Sequence, residues 1–138
     1  MKKKVYVIMV VEEFPGYHPK AGEPTNFEEK IVSGEKYQTV RPNYQEWKRK
    51  EYEINSGRAV LSIRKWSGKP YAKGTTHIEI KQFDRIVVEL VQFPNMYAMD
   101  EIQTKVTKEL AMKDGLSYQD FVDWVEGCKD ELQAVITW

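Results

Sequence analysis

The chain has 138 residues, 41% apolar and 30% charged, with four Trp, eight Tyr and five Phe. This is the length of one domain, and that much buriable aromatic area excludes a disordered polypeptide. A net charge of zero argues against indiscriminate, charge-driven binding to nucleic acid, although residues 1–81 hold 16 Lys/Arg against 10 Asp/Glu while residues 82–138 hold 5 against 11. Such an asymmetry (+6 and −6) gives either a basic, anion-attracting face or two segments that solvate different sides of one domain; the second is the simpler reading. Cys128 is the only cysteine, so an internal disulfide is excluded and a reducing cytoplasm is expected. No run reaches the ~18 apolar residues of a membrane span. The opening lysines and the run Val5 to Val11 mimic a signal peptide. Glu12-Glu13 follows instead of a small-residue cleavage site, so we read a first strand, buried on both faces.

Phe14 to Pro24, with three Pro and two Gly, reads as an ordered loop. Thr25-Asn26-Phe27-Glu28 has capping-box spacing, and the short helix it opens stops at Gly34, a left-handed cap. Lys36 to Arg41 leaves as a strand ended by Pro42. A helix follows from Asn43, with Tyr44, Trp47 and Ile54 on one face. Ala59 to Trp66, Thr76 to Phe83 and Ile86 to Phe93 are strands. After Pro94 a helix carries Val106, Leu110 and Ala111 inward and closes at Gly115. Ser117 restarts a helix with Phe121, Trp124 and Val125 facing inward, and Leu132 to Trp138 is the last strand. Strands at both ends and in the middle, with short helices between them and no regular βαβ alternation, predict one α+β domain over residues 1–138. Its mixed, mostly antiparallel sheet is expected to curl into a small barrel.

Chemistry concentrates at Gly34-Glu35-Lys36-Tyr37-Gln38-Thr39-Val40-Arg41. Period-two alternation places Tyr37, Thr39 and Arg41 on one strand face, with Lys36 at the entrance leaning over it. An amine, a hydroxyl and a guanidinium then converge, a set that suits an anionic or carbonyl-bearing ligand. On spacing alone, such residues are more often a solvated strand face. Trp47 and Trp124 read as core. His18 sits in the ordered loop, where it either packs the loop or edges the pocket. His18 and His77 have no partner at metal-ligand spacing, so no metal and no cofactor are expected.

Gly34-x-Lys36-x-x-Thr39-x-Arg41 resembles the signature of the ASCH group of PUA-like domains. Tyr44-x-x-Trp47 and the stretch Leu61 to Tyr71 are similar to a branch common in Bacteroidetes and their phages. Ala111 to Ser117 and Asp120-Phe121-x-x-Trp124 are similar to its late helix pair. The resemblance implies a small β-barrel-like sheet flanked by helices, and the handling of RNA or modified nucleosides. It also implies a runner-up activity, hydrolysis of the acetyl amide of acetylcytidine-type nucleosides. For that reaction Lys36, Thr39 and an acidic residue would be catalytic, with Arg41, Tyr37, Gly34 and His18 around the substrate. The acidic position falls at Asp114, one methylene shorter than the family's Glu and beside the helix-closing Gly115. The segments 14–24 and 44–71 are also longer than in the compact hydrolases. Recognition of RNA or a modified nucleoside therefore leads, hydrolysis follows, and a protein-interaction module without a ligand is the third reading. Oligomeric state is left open.

Overall fold

The computed structural model describes residues 2–138, in which α+β architecture is built from two separate three-stranded sheets and four α-helices. In the first sheet β1 (Lys4–Met9) runs parallel to β3 (Ala59–Trp66), which pairs antiparallel with β4 (His77–Phe83). In the second, β6 (Leu132–Thr137) is the centre, antiparallel to both β2 (Gln38–Arg41) and β5 (Val87–Gln92). The helices are α1 (Phe27–Ser33), α2 (Tyr44–Asn55), α3 (Glu101–Lys113) and α4 (Tyr118–Val125), the last running into a 3₁₀ turn, Glu126–Cys128.

The expected closed barrel is not formed. Among the described residues no ladder joins the two sheets. They meet through side chains, as where Phe83 at the end of β4 lies 5.6 Å from the Trp138 ring beyond β6. The core between them takes Ile8, Leu61 and Ile63 from one sheet, Val88, Ala134 and Ile136 from the other, and Ile31, Ile54 and Phe121 from the helices. Trp47 is in this core, as its helical spacing predicts.

Three local expectations are corrected. The first strand is an edge strand, so Val5 is 44% exposed and only Ile8 is buried within it. Val10, just beyond its end, is buried as well. At α1 no capping box forms: Asn26 takes the N-cap in the left-handed region (φ 59°), and Glu28 pairs with Lys65 instead. Thr25 is diverted to the loop, its hydroxyl donating to Val11 O at 2.9 Å. Val106 points to solvent; α3 buries Thr107 and Ala111. The capping box that does form is at α3, where Asp100 and Gln103 cap each other's backbone amides. Ser117 caps α4 by accepting from Asp120 N–H.

Candidate ligand cavity

Gly34 ends α1 at φ 85°, its N–H bonded to Ile31 O, and the chain doubles back so that Lys36 N–H reaches Lys30 O at 2.9 Å. Tyr37 N–H then bonds Lys113 O at 3.0 Å, fastening this segment to the C-terminal end of α3. Asp114 is the C-cap of α3, and Gly115 follows at φ 74°. The turn therefore sets Lys36 and Asp114 side by side although 78 residues separate them.

Lys36 is only 2% exposed. Its ammonium donates to Gln38 O (2.8 Å) and Asp114 O (3.0 Å) and pairs with Asp114 Oδ1 at 3.2 Å, which uses all three N–H donors. The Phe27 ring lies over it, 4.3 Å from Nζ to centroid. Burial pulls the Lys36 pKa below the ordinary lysine value; Asp114 opposes that shift, and the nearby Arg41 and Lys30 charges add to it. The negative end of α3 also favours these cations: Lys30 Nζ donates to Gly115 O at 2.6 Å, next to the Lys36 bond to Asp114 O.

In β2, alternation puts Thr39 and Arg41 on one face. Arg41 donates through Nε to Thr39 Oγ1 (3.3 Å) and through Nη2 to Met9 O (2.7 Å), linking the second sheet to the end of β1. Burial lowers the Arg41 pKa, and the Asp114 charge works against that lowering. Behind this row Gln38 is fully buried; its Nε2 donates to Leu110 O (2.9 Å) and Asp114 Oδ1 (3.4 Å). Its Oε1 is the one buried side-chain polar atom without a partner among the described residues. Such an orphan costs about 1–3 kcal/mol, spent here on holding the Asp114 carboxylate in place.

Lys36, Thr39, Arg41 and Asp114 all line one cavity of about 370 Å³, near the lower end of the ~300–1,000 Å³ range of small-molecule sites. Its walls are aromatic: Phe27 and Trp124 lie 5.7 Å apart, inclined at 35°. Pro15 and Tyr17 of the 14–24 loop cover one side. The loop is fastened to α4 by Tyr17 Oη donating to Trp124 O (2.9 Å) and by the Lys20–Asp120 pair (2.8 Å). Among the described residues the Thr39 hydroxyl proton, Arg41 Nη1 and Asp114 Oδ2 have no protein partner, although all three residues line the cavity. Two kinds of donor and one acceptor are thus available to a ligand.

The structure does not bring the other predicted residues to this cavity. Tyr37 and Gly34 line a separate depression beside Lys108 and Tyr118, because the turn after α1 swings them to the outer side of Lys36. His18 is buried one layer behind, its ring 4.5 Å from Phe14 and 6.0 Å from Trp124. Lys20 N–H donates to its Nδ1 at 3.0 Å, which assigns the proton to Nε2 and makes it the donor to Asp120 O at 2.9 Å. His18 therefore packs the loop and does not edge the cavity. Among the described residues no group of three His, Cys, Asp or Glu is arranged to hold a metal ion. No helix among them is long and apolar enough to cross a membrane.

Sequence reasoning missed three lining residues. Trp124 reads as core but is half-buried, with part of its ring on the cavity. Phe27 reads only as a helix residue. Gln133 is buried and lines the cavity from β6; its signal was available, as the one amide inside Leu132-Gln133-Ala134-Val135-Ile136. Cys128 also reaches the wall, with burial and then Glu131 raising its pKa, so it remains a thiol rather than a nucleophile. No family model, curated protein or solved structure matches this chain.

Gly115 tests how tightly this corner is built. A Cβ there would stand 3.0 Å from Lys36 Cβ and 3.2 Å from Lys30 Cδ, in a left-handed conformation that favours glycine. Gly115→Ala is expected to destabilise the fold by about 1–3 kcal/mol in denaturant titration, a combination of steric crowding and backbone strain. An unchanged midpoint would mean that Lys36 is free to move.

Proposed function

We propose that the chain is an ASCH-like domain of the PUA-like type, working in a reducing cytoplasm, that recognises a single nucleobase of RNA or of a modified nucleoside in the Lys36–Thr39–Arg41–Asp114 cavity. The observation that carries this reading is that one cavity is lined by two kinds of surface. Thr39, Arg41 and Asp114 offer hydrogen-bonding groups, and Phe27 and Trp124, in contact with each other at 5.7 Å, offer aromatic surface in the same lining. A base needs both, an edge to be read and a face to be stacked. The enclosed shape favours one base over a long backbone track, in keeping with the zero net charge.

Titration with cytidine, N4-acetylcytidine and a short single-stranded RNA, followed by tryptophan fluorescence, tests it. Binding is expected, weakened at least about tenfold in Arg41→Ala because a charged hydrogen bond is worth about 1.5–3 kcal/mol. RNA binding that falls steeply with salt would point to phosphate contacts outside the cavity as well. Absence of binding by all three ligands would leave the protein-interaction reading.

Hydrolysis of an acyl amide is the second reading, favoured by one contact. Arg41 Nε donates to Thr39 Oγ1, which sets the guanidinium beside the attacking oxygen, and its uncommitted Nη1 would stabilise the oxyanion that forms on the carbonyl. A proton acceptor for Thr39 is less well provided. Lys36 makes no hydrogen bond to Thr39, and its three donors are already committed to Gln38 and Asp114. To serve as base it must pass a proton to Asp114 and turn to Thr39; Asp114 then orients it or returns that proton to the leaving amine, and water releases the acyl group from Thr39. Release of acetate from N4-acetylcytidine, lost in both Lys36→Ala and Thr39→Ala variants that remain folded, would establish this activity. Nucleoside binding without turnover returns the site to recognition alone.

A further inference from the structure

The cavity lining holds two cations, Lys36 and Arg41, and two carboxylates, Asp114 and Glu13, but they do not pair evenly. Lys36 and Asp114 form a pair at 3.2 Å and neutralise each other. Arg41 has no carboxylate within 4.0 Å among the described residues, and its protein contacts are neutral oxygens, Met9 O and Thr39 Oγ1. Arg49 shows the alternative on the open surface of α2, where Glu46 (3.0 Å) and Glu53 (2.8 Å) flank it. A guanidinium has five N–H donors; Arg41 commits two and leaves three, the Nη1 pair among them, in a cavity that water only partly reaches. Withdrawing a charge from water without a counter-ion is unfavourable, and a ligand that supplies one recovers that free energy on binding.

We propose that the cavity takes a planar monoanion, its single negative group paired with Arg41 and its ring against the aromatic wall that Phe27 and Trp124 form together. This rests on the base-recognition reading and narrows it to bases or heterocycles that carry one negative charge, as an attached carboxylate or an ionised ring. The charge count selects a monoanion over a phosphate dianion. Asp114 stands close to Arg41 and the exposed Glu13 lines the same cavity, so the lining as a whole is neutral. A second negative charge would therefore meet repulsion without a partner. Planarity follows from the aromatic walls and from the guanidinium fork, which matches a carboxylate edge to edge.

Calorimetric titration with orotate, uracil, uridine monophosphate and cytidine tests it. Orotate and uracil share a ring and differ by one carboxylate. Orotate is expected to bind at least about tenfold more tightly than uracil and more tightly than uridine monophosphate. That preference should shrink as salt is raised, and it should disappear in Arg41→Gln. The salt series keeps the test valid if the variant does not fold. Equal affinity for orotate and uracil, or a preference for uridine monophosphate, overturns the monoanion. If cytidine still binds in that case, base recognition survives. If orotate, uracil and cytidine all fail to bind, the monoanion and the base reading both fall.

Discussion

Replacing Lys36 with Met is expected to lower the unfolding free energy by about 3–5 kcal/mol, on the order of 15 °C in Tm for a chain of this length. Methionine fills similar space, so loss of packing is not the main cause. The variant strands the Asp114 carboxylate, 8% exposed, and removes the donor that satisfies the carbonyls of Gln38 and Asp114. Breaking a buried pair from one side leaves an uncompensated charge, which is worse than having no pair. Lys36→Met combined with Asp114→Asn should therefore recover a substantial part of the loss. If single and double variants unfold at the same temperature, the pair is not coupled in the way the distances imply.

The same residue makes stability depend on pH in a direction that can be worked out. Burial lowers the folded-state Lys36 pKa below its unfolded value of 10.5. Below the lowered pKa both states carry the proton, and the folded state bears the full penalty of a buried ammonium. Between the lowered value and 10.5 the unfolded state binds more protons than the folded one, so this contribution makes stability rise with pH. Surface lysines such as Lys65 and Lys129 act oppositely, since their carboxylate partners raise their pKa and their contribution fades as pH passes above 10.5. The difference between wild type and Lys36→Met isolates the buried amine. Denaturant titrations carried up to pH 10.5 should show the wild type gaining relative to the variant. A constant difference across that range would mean that Asp114 offsets burial completely.

The Gly34-to-Arg41 segment was legible because its consequences are local. A glycine where the backbone enters the left-handed region ends a helix, and period-two alternation puts Thr39 and Arg41 on one face. Asp114 was within reach by resemblance, and its two possible roles turn out to coincide: it caps α3 and faces the cavity. The arrangement of sheets was less legible. A run such as Val5 to Val11 looks buried on both sides, but whether it is central or at an edge depends on which strands pair, and pairing is non-local. β1 joins β3, more than fifty residues away, on one side only. Tyr37 was misplaced for a related reason: it precedes the strand by one residue, where alternation no longer applies. The aromatic walls were hidden by an ambiguity of chemistry, since a tryptophan at helical spacing has the same pattern whether its ring meets other side chains or a hollow.

That ambiguity separates Trp124 from Trp47 by experiment. Trp124 touches Phe14 and Phe27, with ring centroids at 5.4 and 5.7 Å, and also lines the cavity. Trp47 belongs wholly to the core on α2, with Lys50 Nζ 4.3 Å above its ring. Trp124→Leu is expected to weaken nucleoside or orotate binding by about 5- to 150-fold, the equivalent of the ~1–3 kcal/mol of one stacked base. Its effect on stability should stay below the ~3–5 kcal/mol of a full truncation to alanine. Trp47→Leu should destabilise the fold comparably yet leave the affinity of the remaining folded protein within about twofold. Calorimetric titration of the folded variants and their thermal midpoints read the two effects separately. Equal loss of affinity in both variants would mean that binding only reports the integrity of the core. Loss confined to Trp124→Leu would place the ligand's ring against that indole.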